Sequence, residues 1–128
     1  MKKTILISAI AVFLSAFNVN AKTVNNPLST MNSEWASNVS PFCMAIVKGD
    51  LTTVKRMIEL GADINQKSAG LTPAMYAAKF NKVDILKLLI AEGANLKTRT
   101  KAGFTAKKYA EISNADEAKA IIEAALMK

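Results

Sequence analysis

The chain has 128 residues, with 17 Lys and Arg against 10 Asp and Glu, one cysteine and no histidine. Without histidine, Ser-His-Asp and Cys-His catalysis and the commonest metal ligand are absent, and one cysteine allows no internal disulfide. The net charge of +7 is spread along the chain, without the block of about five or six like charges that marks a nucleic-acid-binding tail.

The N-terminus reads as an export signal over residues 1–21. Met1-Lys2-Lys3 is positive, Ile5 to Phe17 is an apolar run, and Val19 and Ala21 occupy the positions a signal peptidase reads. Cleavage is expected after Ala21, with an uncleaved anchor as the alternative. The apolar run is shorter than the about 20 residues of an ordinary transmembrane helix, and no cysteine follows it for lipid attachment. The processed chain, Lys22 to Lys128, is therefore expected in the periplasm or secreted, without a stable membrane anchor. Losing Lys2 and Lys3 takes its charge from +7 to +5.

Residues 22–39 read as a linker and N-terminal cap. The segment is rich in Asn and Ser and contains Pro27. Ser29 or Thr30 would cap a short helix turning Leu28, Met31 and Trp35 inward, with Trp35 covering the open end of the helical region that begins at Ser40.

From Ser40 the pattern is helix, turn, helix, loop. Ser40-Pro41 starts a predicted helix to Val47, with Ser40 as N-cap and Pro41 at the first helical position, where a missing N–H costs nothing. Lys48-Gly49-Asp50 makes a turn, and Leu51 to Leu60 a second helix that Gly61 stops. Thr72-Pro73 repeats the start signal at a shift of 32, followed by helices Pro73 to Phe80 and Val83 to Ala91, with Gly93 as the stop. Gly103-Phe104-Thr105 echoes Gly70-Leu71-Thr72 at a shift of 33. This period, carrying a cap, two helical patterns and a glycine stop, defines a repeat architecture. Its units run about 40–70, 71–103 and 104–128. The loop from Gly61 to Gly70 spans nine steps and that from Gly93 to Gly103 ten. Cys43 falls on an apolar helical face and reads as a small buried hydrophobe. Asp116-Glu117 reads as negative charge at a helix start and not as an acid–base pair.

The stretches GLTPAMYAA, KGDLTTVKRMIELGADIN and NKVDILKLLIAEGAN resemble ankyrin repeats, from about Ser40 to Met127. The resemblance implies an all-α, ankyrin-repeat solenoid of about three helix-turn-helix repeats with a capping C-terminal repeat. In the last unit Ala106 and Lys107 replace the usual Pro-Leu, and Ala118, Ile121, Ile122 and Ala125 form one apolar stripe, with Lys119 and Glu123 expected to face outward. The family histidine that ties neighbouring loops together is replaced by Cys43, Met75 and Lys108, so polar stitching between units is expected to be weak.

With no histidine, scattered acids and no Gly-rich phosphate loop, the chain is expected to be non-enzymatic, without cofactor or metal. The resemblance further implies a protein–protein interaction module binding through a concave face of first helices and loop tips. Carried onto this chain, that face contains Val47, Lys48, Lys67, Leu71, Lys79, Phe80, Arg99, Lys101, Phe104, Ile112 and Ser113. Lys48, Lys67, Lys79, Arg99 and Lys101 make it basic, with Glu111 the nearest opposing charge. Phe80 and Phe104 are its expected exposed aromatic anchors, although Leu71 and Phe104 equally fit packing beneath the loops. The expected partner is a protein with an acidic and partly apolar surface, not nucleic acid, and the chain is expected to be monomeric. The alternative function is a soluble protector or inhibitor of one envelope enzyme or toxin. Attachment to anionic lipid ranks last, for want of a basic amphipathic helix.

Overall fold

The structure, a computed structural model, describes residues 38–128. The signal segment expected at 1–21, and the cap expected at 22–39 except for Asn38 and Val39, lie outside the described residues, as does Trp35.

Six helices are present among the described residues: α1 (Pro41–Lys48), α2 (Leu51–Glu59), α3 (Pro73–Lys79), α4 (Val83–Ala91), α5 (Ala106–Ile112) and α6 (Asp116–Leu126). The ends of α1 to α4 match the expected ones to within one residue. Each first helix starts at a hydroxyl in extended backbone. Ser40 Oγ accepts from the Cys43 N–H at 3.3 Å, Thr72 Oγ1 from Met75 at 3.2 Å and Thr105 Oγ1 from Lys108 at 3.3 Å. Met75, at one of the positions where histidine was expected, bonds in the other direction: its Sδ accepts from the Thr72 N–H at 3.4 Å and closes a capping box.

The second helices begin differently. Asp50 caps α2, accepting from the Thr53 N–H at 3.1 Å and the Thr53 hydroxyl at 2.6 Å. These bonds favour its ionised form and hold its carboxyl below the usual range. Lys82, at the start of α4, has no side chain able to accept. The α6 N-terminus is capped from the preceding unit, where Asn81 Oδ1 accepts from the Ala118 N–H at 3.3 Å. Asn81 can reach because it sits at φ 52°, in the left-handed turn between α3 and α4.

The helices form two layers. α1, α3 and α5 stack as one row, α2, α4 and α6 as the other, and each first helix also packs on its own second helix. The first row is rich in buried alanine (Ala45, Ala74, Ala77, Ala78, Ala106, Ala110), which lets helices approach closely. Larger side chains fill the space between rows, with Ile46, Val54, Met75, Leu86, Leu89 and Ile122 fully buried. Burying one such side chain contributes about 1.5–3 kcal/mol. Val39 joins this core ahead of α1.

The unequal loops build different turns. Ser68 and Leu71 exchange bonds (Ser68 N–H to Leu71 O, 2.8 Å; Leu71 N–H to Ser68 O, 3.1 Å) across a two-residue tip, with Ala69 at φ 50° and Gly70 at φ 83°. Two left-handed residues in a two-residue loop make a type I′ turn. The longer loop closes Thr100 onto Phe104 (2.9 Å) around Lys101-Ala102-Gly103, with only Gly103 left-handed, at φ 82°. Alanine is a poor residue for the left-handed region, whereas Asn-Gly is the favoured type I′ pair. Ala69→Asn is accordingly expected to raise stability by roughly 0.5–1 kcal/mol, measured as an upward shift in the urea midpoint at unchanged m-value.

In the last unit Ala118 and Ile122 are buried, and Ile121 and Ala125 pack against the core, as the apolar stripe requires. Lys119 and Glu123 do not simply face outward. Lys107 Nζ meets Glu123 Oε1 at 3.0 Å, and Lys119 Nζ meets Glu111 Oε1 at 3.8 Å, so both pairs tie α6 back to α5. The hydrogen bond from Lys107 lowers the Glu123 pKa. These four charges stand 33 residues after Ala74, Ile90, Leu86 and Ala78, all apolar. Apolar stacking positions have become mutually paired charges, which keeps the end of the stack wettable.

Candidate functional site

The residues expected on the concave face fall into two groups. Lys67, Leu71, Arg99, Lys101 and Phe104 lie in and beside the two loop tips. Val47, Lys48, Lys79, Phe80, Ile112 and Ser113 lie at the C-terminal ends of α1, α3 and α5. The groups stand at opposite ends of the first-helix row, about 10 Å apart along a seven-residue helix. No single cleft gathers them.

In the loop-tip group, Lys67 and Arg99 occupy equivalent positions in successive units. Lys67 Nζ donates to the Arg99 carbonyl at 3.0 Å, and Arg99 Nη1 donates to the Gly103 carbonyl at 3.0 Å. Both charges are therefore positioned by backbone oxygens without being neutralised. Lys67, Leu71 and Lys101 line one cleft of about 480 Å³ together with Tyr109. Arg99 and Phe104 line a neighbouring one with Lys107, Lys108 and Glu111. Tyr109 carried no separate expectation; its signal in the sequence is its register, 33 residues after Tyr76.

At the helix ends Lys48 and Lys79 are exposed, and Ile112 retains 52% of its surface. Lys79 Nζ lies 5.5 Å from the Phe80 ring centroid. The aromatic anchors are less exposed than expected. Phe80 is half-buried against the core, and Phe104 is half-buried with its ring edge-on to Tyr109 at 5.9 Å. Leu71 packs on the core and also lines the cleft. Ion pairs among the described residues are confined to the last unit. Lys48, Lys67, Lys79, Arg99 and Lys101 have no acid within ion-pair distance among those residues.

Polar stitching between units is richer than the missing histidines implied. The Ser68 carbonyl accepts from the Tyr76 hydroxyl of the next unit at 2.7 Å, while Ser68 Oγ closes its own unit by accepting from the Ser40 N–H at 2.7 Å. Asn65 Oδ1 accepts from the Asn95 N–H at 2.8 Å, and its amide donates to the Gly93 carbonyl at 3.4 Å. The Tyr76 and Asn65 side chains thus make the links for which histidine was expected. Cys43 is only 1% exposed. Burial pushes its thiol pKa up, against a smaller opposing effect of the Ser40 and Ser68 hydroxyls, so it is a poor nucleophile at neutral pH. Among the described residues no group of three or more acidic or cysteine side chains could hold a metal, and no helix is long and apolar enough to cross a membrane.

A family model for three copies of the ankyrin repeat matches residues 42–126. The chain belongs to the ankyrin-repeat family. Ankyrin relatives include "Dauer abnormal formation protein 25" of Caenorhabditis elegans, 38% identical over 88 residues, 67% of this chain and 23% of that protein. "2-5A-dependent ribonuclease" of Mus musculus is 38% identical over 68 residues, 52% of this chain and 9% of that protein. "M-phase phosphoprotein 8" of Homo sapiens is 37% identical over 73 residues, 55% of this chain and 8% of that protein. This chain spans less than a quarter of each. Ankyrin repeats are protein–protein interaction modules and generally non-enzymatic, so the coarse function of the repeat region is recognition of another protein.

Proposed function

We propose that the protein is exported and acts in the periplasm as a non-enzymatic binding module, whose partner presents an acidic and partly apolar surface. One observation carries the choice of partner. Five cations on the first-helix row and loop tips lack an acid within ion-pair distance among the described residues, and they stand beside the half-buried apolar side chains Leu71, Phe80 and Phe104. Cations left without acids favour encounter with a negative partner and reject positive ones. Residues 1–21 support export through their charge, apolar run and small-residue end.

A pull-down from periplasmic extract tests this reading, using the wild-type chain beside the triple variant Lys79→Glu, Phe80→Ala, Arg99→Glu. The expected result is a protein retained by the wild type and lost by the variant, with circular dichroism unchanged. Retention of the same protein by both would place binding elsewhere on the surface. No protein retained by either would remove the reading's support.

A further inference from the structure

The cleft between the two loop tips brings two lysines and a tyrosine together beside apolar walls. Its volume is about 480 Å³ and it is open to solvent, with Lys67 from one loop, Lys101 from the next, and Leu71, Ala69 and Ala102 supplying apolar walls. No acidic residue lines it. Lys67 already donates one bond, to the Arg99 carbonyl, and its ammonium has further protons to give.

Tyr109 completes the set. In the preceding unit Tyr76 donates its hydroxyl to the Ser68 carbonyl at 2.7 Å. Tyr109 corresponds to Tyr76, and Thr100 to Ser68, since Thr100 pairs with Phe104 across the longer loop as Ser68 pairs with Leu71 across the shorter one. The matching bond is not made. The longer loop turns through three residues instead of two, and the Tyr109 hydroxyl has no partner among the described residues. A phenol that links the second unit to the first is left available in the third, in a cleft lined by two lysines.

We infer that this cleft is a specificity pocket for an extended acidic segment of the partner protein. A carboxylate side chain is held by Lys67, Lys101 and the Tyr109 hydroxyl, and an adjoining apolar side chain lies on Leu71, Ala69 and Ala102. This rests on the protein-binding function proposed above and narrows it to one place and one chemistry. Two ammonium groups and a neutral hydroxyl match a single carboxylate; the guanidinium fork that suits phosphate is missing from the lining.

The test is an NMR titration of ¹⁵N-labelled protein, expressed from the full sequence, with three blocked pentapeptides: Gly-Leu-Glu-Leu-Gly, its Gln analogue and its phosphoserine analogue. The Glu peptide is expected to shift the amides of Gly70, Leu71, Lys101, Ala102 and Tyr109 saturably. Binding should weaken roughly tenfold with the Gln peptide, and likewise in Tyr109→Phe, because each removes a hydrogen bond involving a charged group. Tyr109→Phe keeps the ring that packs on Phe104, and the dispersion of its amide spectrum checks its fold. Shifts centred elsewhere, equal binding of the Gln peptide, tighter binding of the phosphoserine peptide, or no shift at millimolar peptide would each overturn the inference. Because the titration needs no natural partner, it judges the cleft independently of the pull-down. A partner retained by wild type and by Lys101→Gln alike would sink the cleft and leave the broader function standing.

Discussion

Leu86→Ala is expected to cost about 3 kcal/mol of stability and to lower the melting temperature by roughly 12–24 °C. Leu86 is 0% exposed in α4. That helix is the middle member of its row, packed on α2, α3 and α6. Truncation removes the transfer energy of the side chain and leaves a cavity that neighbours on both sides cannot close. In a stack held by nearest-neighbour contacts, a defect in the central unit weakens two interfaces at once. Ile122→Ala offers the contrast. Ile122 is equally buried but sits in α6 at the end of the row. Hydrogen exchange should therefore show α5 and α6 losing protection first in Ile122→Ala, and all units losing it together in Leu86→Ala. A loss below about 1 kcal/mol for Leu86→Ala, well under the usual range for a buried leucine, would show that the stack does not depend on its middle unit.

The second large effect is expected from Ser68→Ala, at about 1–3 kcal/mol. Ser68 joins three parts of the molecule. Its hydroxyl accepts from the backbone N–H of Ser40, the residue that caps α1. Its carbonyl accepts from Tyr76 in α3, and its N–H and carbonyl both pair with Leu71 across the turn. Replacing it with alanine leaves the backbone bonds in place but strands the partly buried Ser40 N–H, and an unmade bond there costs more than the bond itself contributes. The same change removes one of the two hydroxyls that act against burial at the Cys43 thiol. Cys43 gives a second readout: its labelling by a thiol reagent should require local opening of α1 and should accelerate in Ser68→Ala as that opening becomes easier. Unchanged stability together with unchanged labelling would show that Ser68 is not a structural junction.

The elements that were legible in the sequence are those fixed by local chemistry. Ser40-Pro41 and Thr72-Pro73 announce helices because a hydroxyl can cap within its own turn and proline suits the first helical position. Gly61 and Gly93 announce stops because both adopt left-handed φ, near 99° and 96°. The amphipathic stripe of α6 declares its buried face through spacing alone. These signals depend on residues within about one or two turns of each other, and they recur with a period that makes them mutually confirming.

The site was less legible because its contacts join residues about a full unit apart. Asn65 meeting Asn95, Asn81 capping Ala118 and Lys67 held on the Arg99 carbonyl link positions separated by 30, 37 and 32 residues. No local preference of asparagine or lysine specifies such a bond; it exists only once the loops are stacked side by side. The missing histidines pointed to weak stitching for the same reason, since the substitutes are other residue types at other positions. Tyr109 looks like a copy of Tyr76 by register. One extra loop residue changes the turn in front of it, so the copy has a free hydroxyl and the original does not. The repeat, its helices and its class of function arise from short-range capping, turn and hydrophobic patterns, which a sequence carries openly. Which serine becomes a junction, which cations stay without acids and which tyrosine faces a cleft depend on the packing of one unit on the next, where a one-residue difference in loop length changes the partners available.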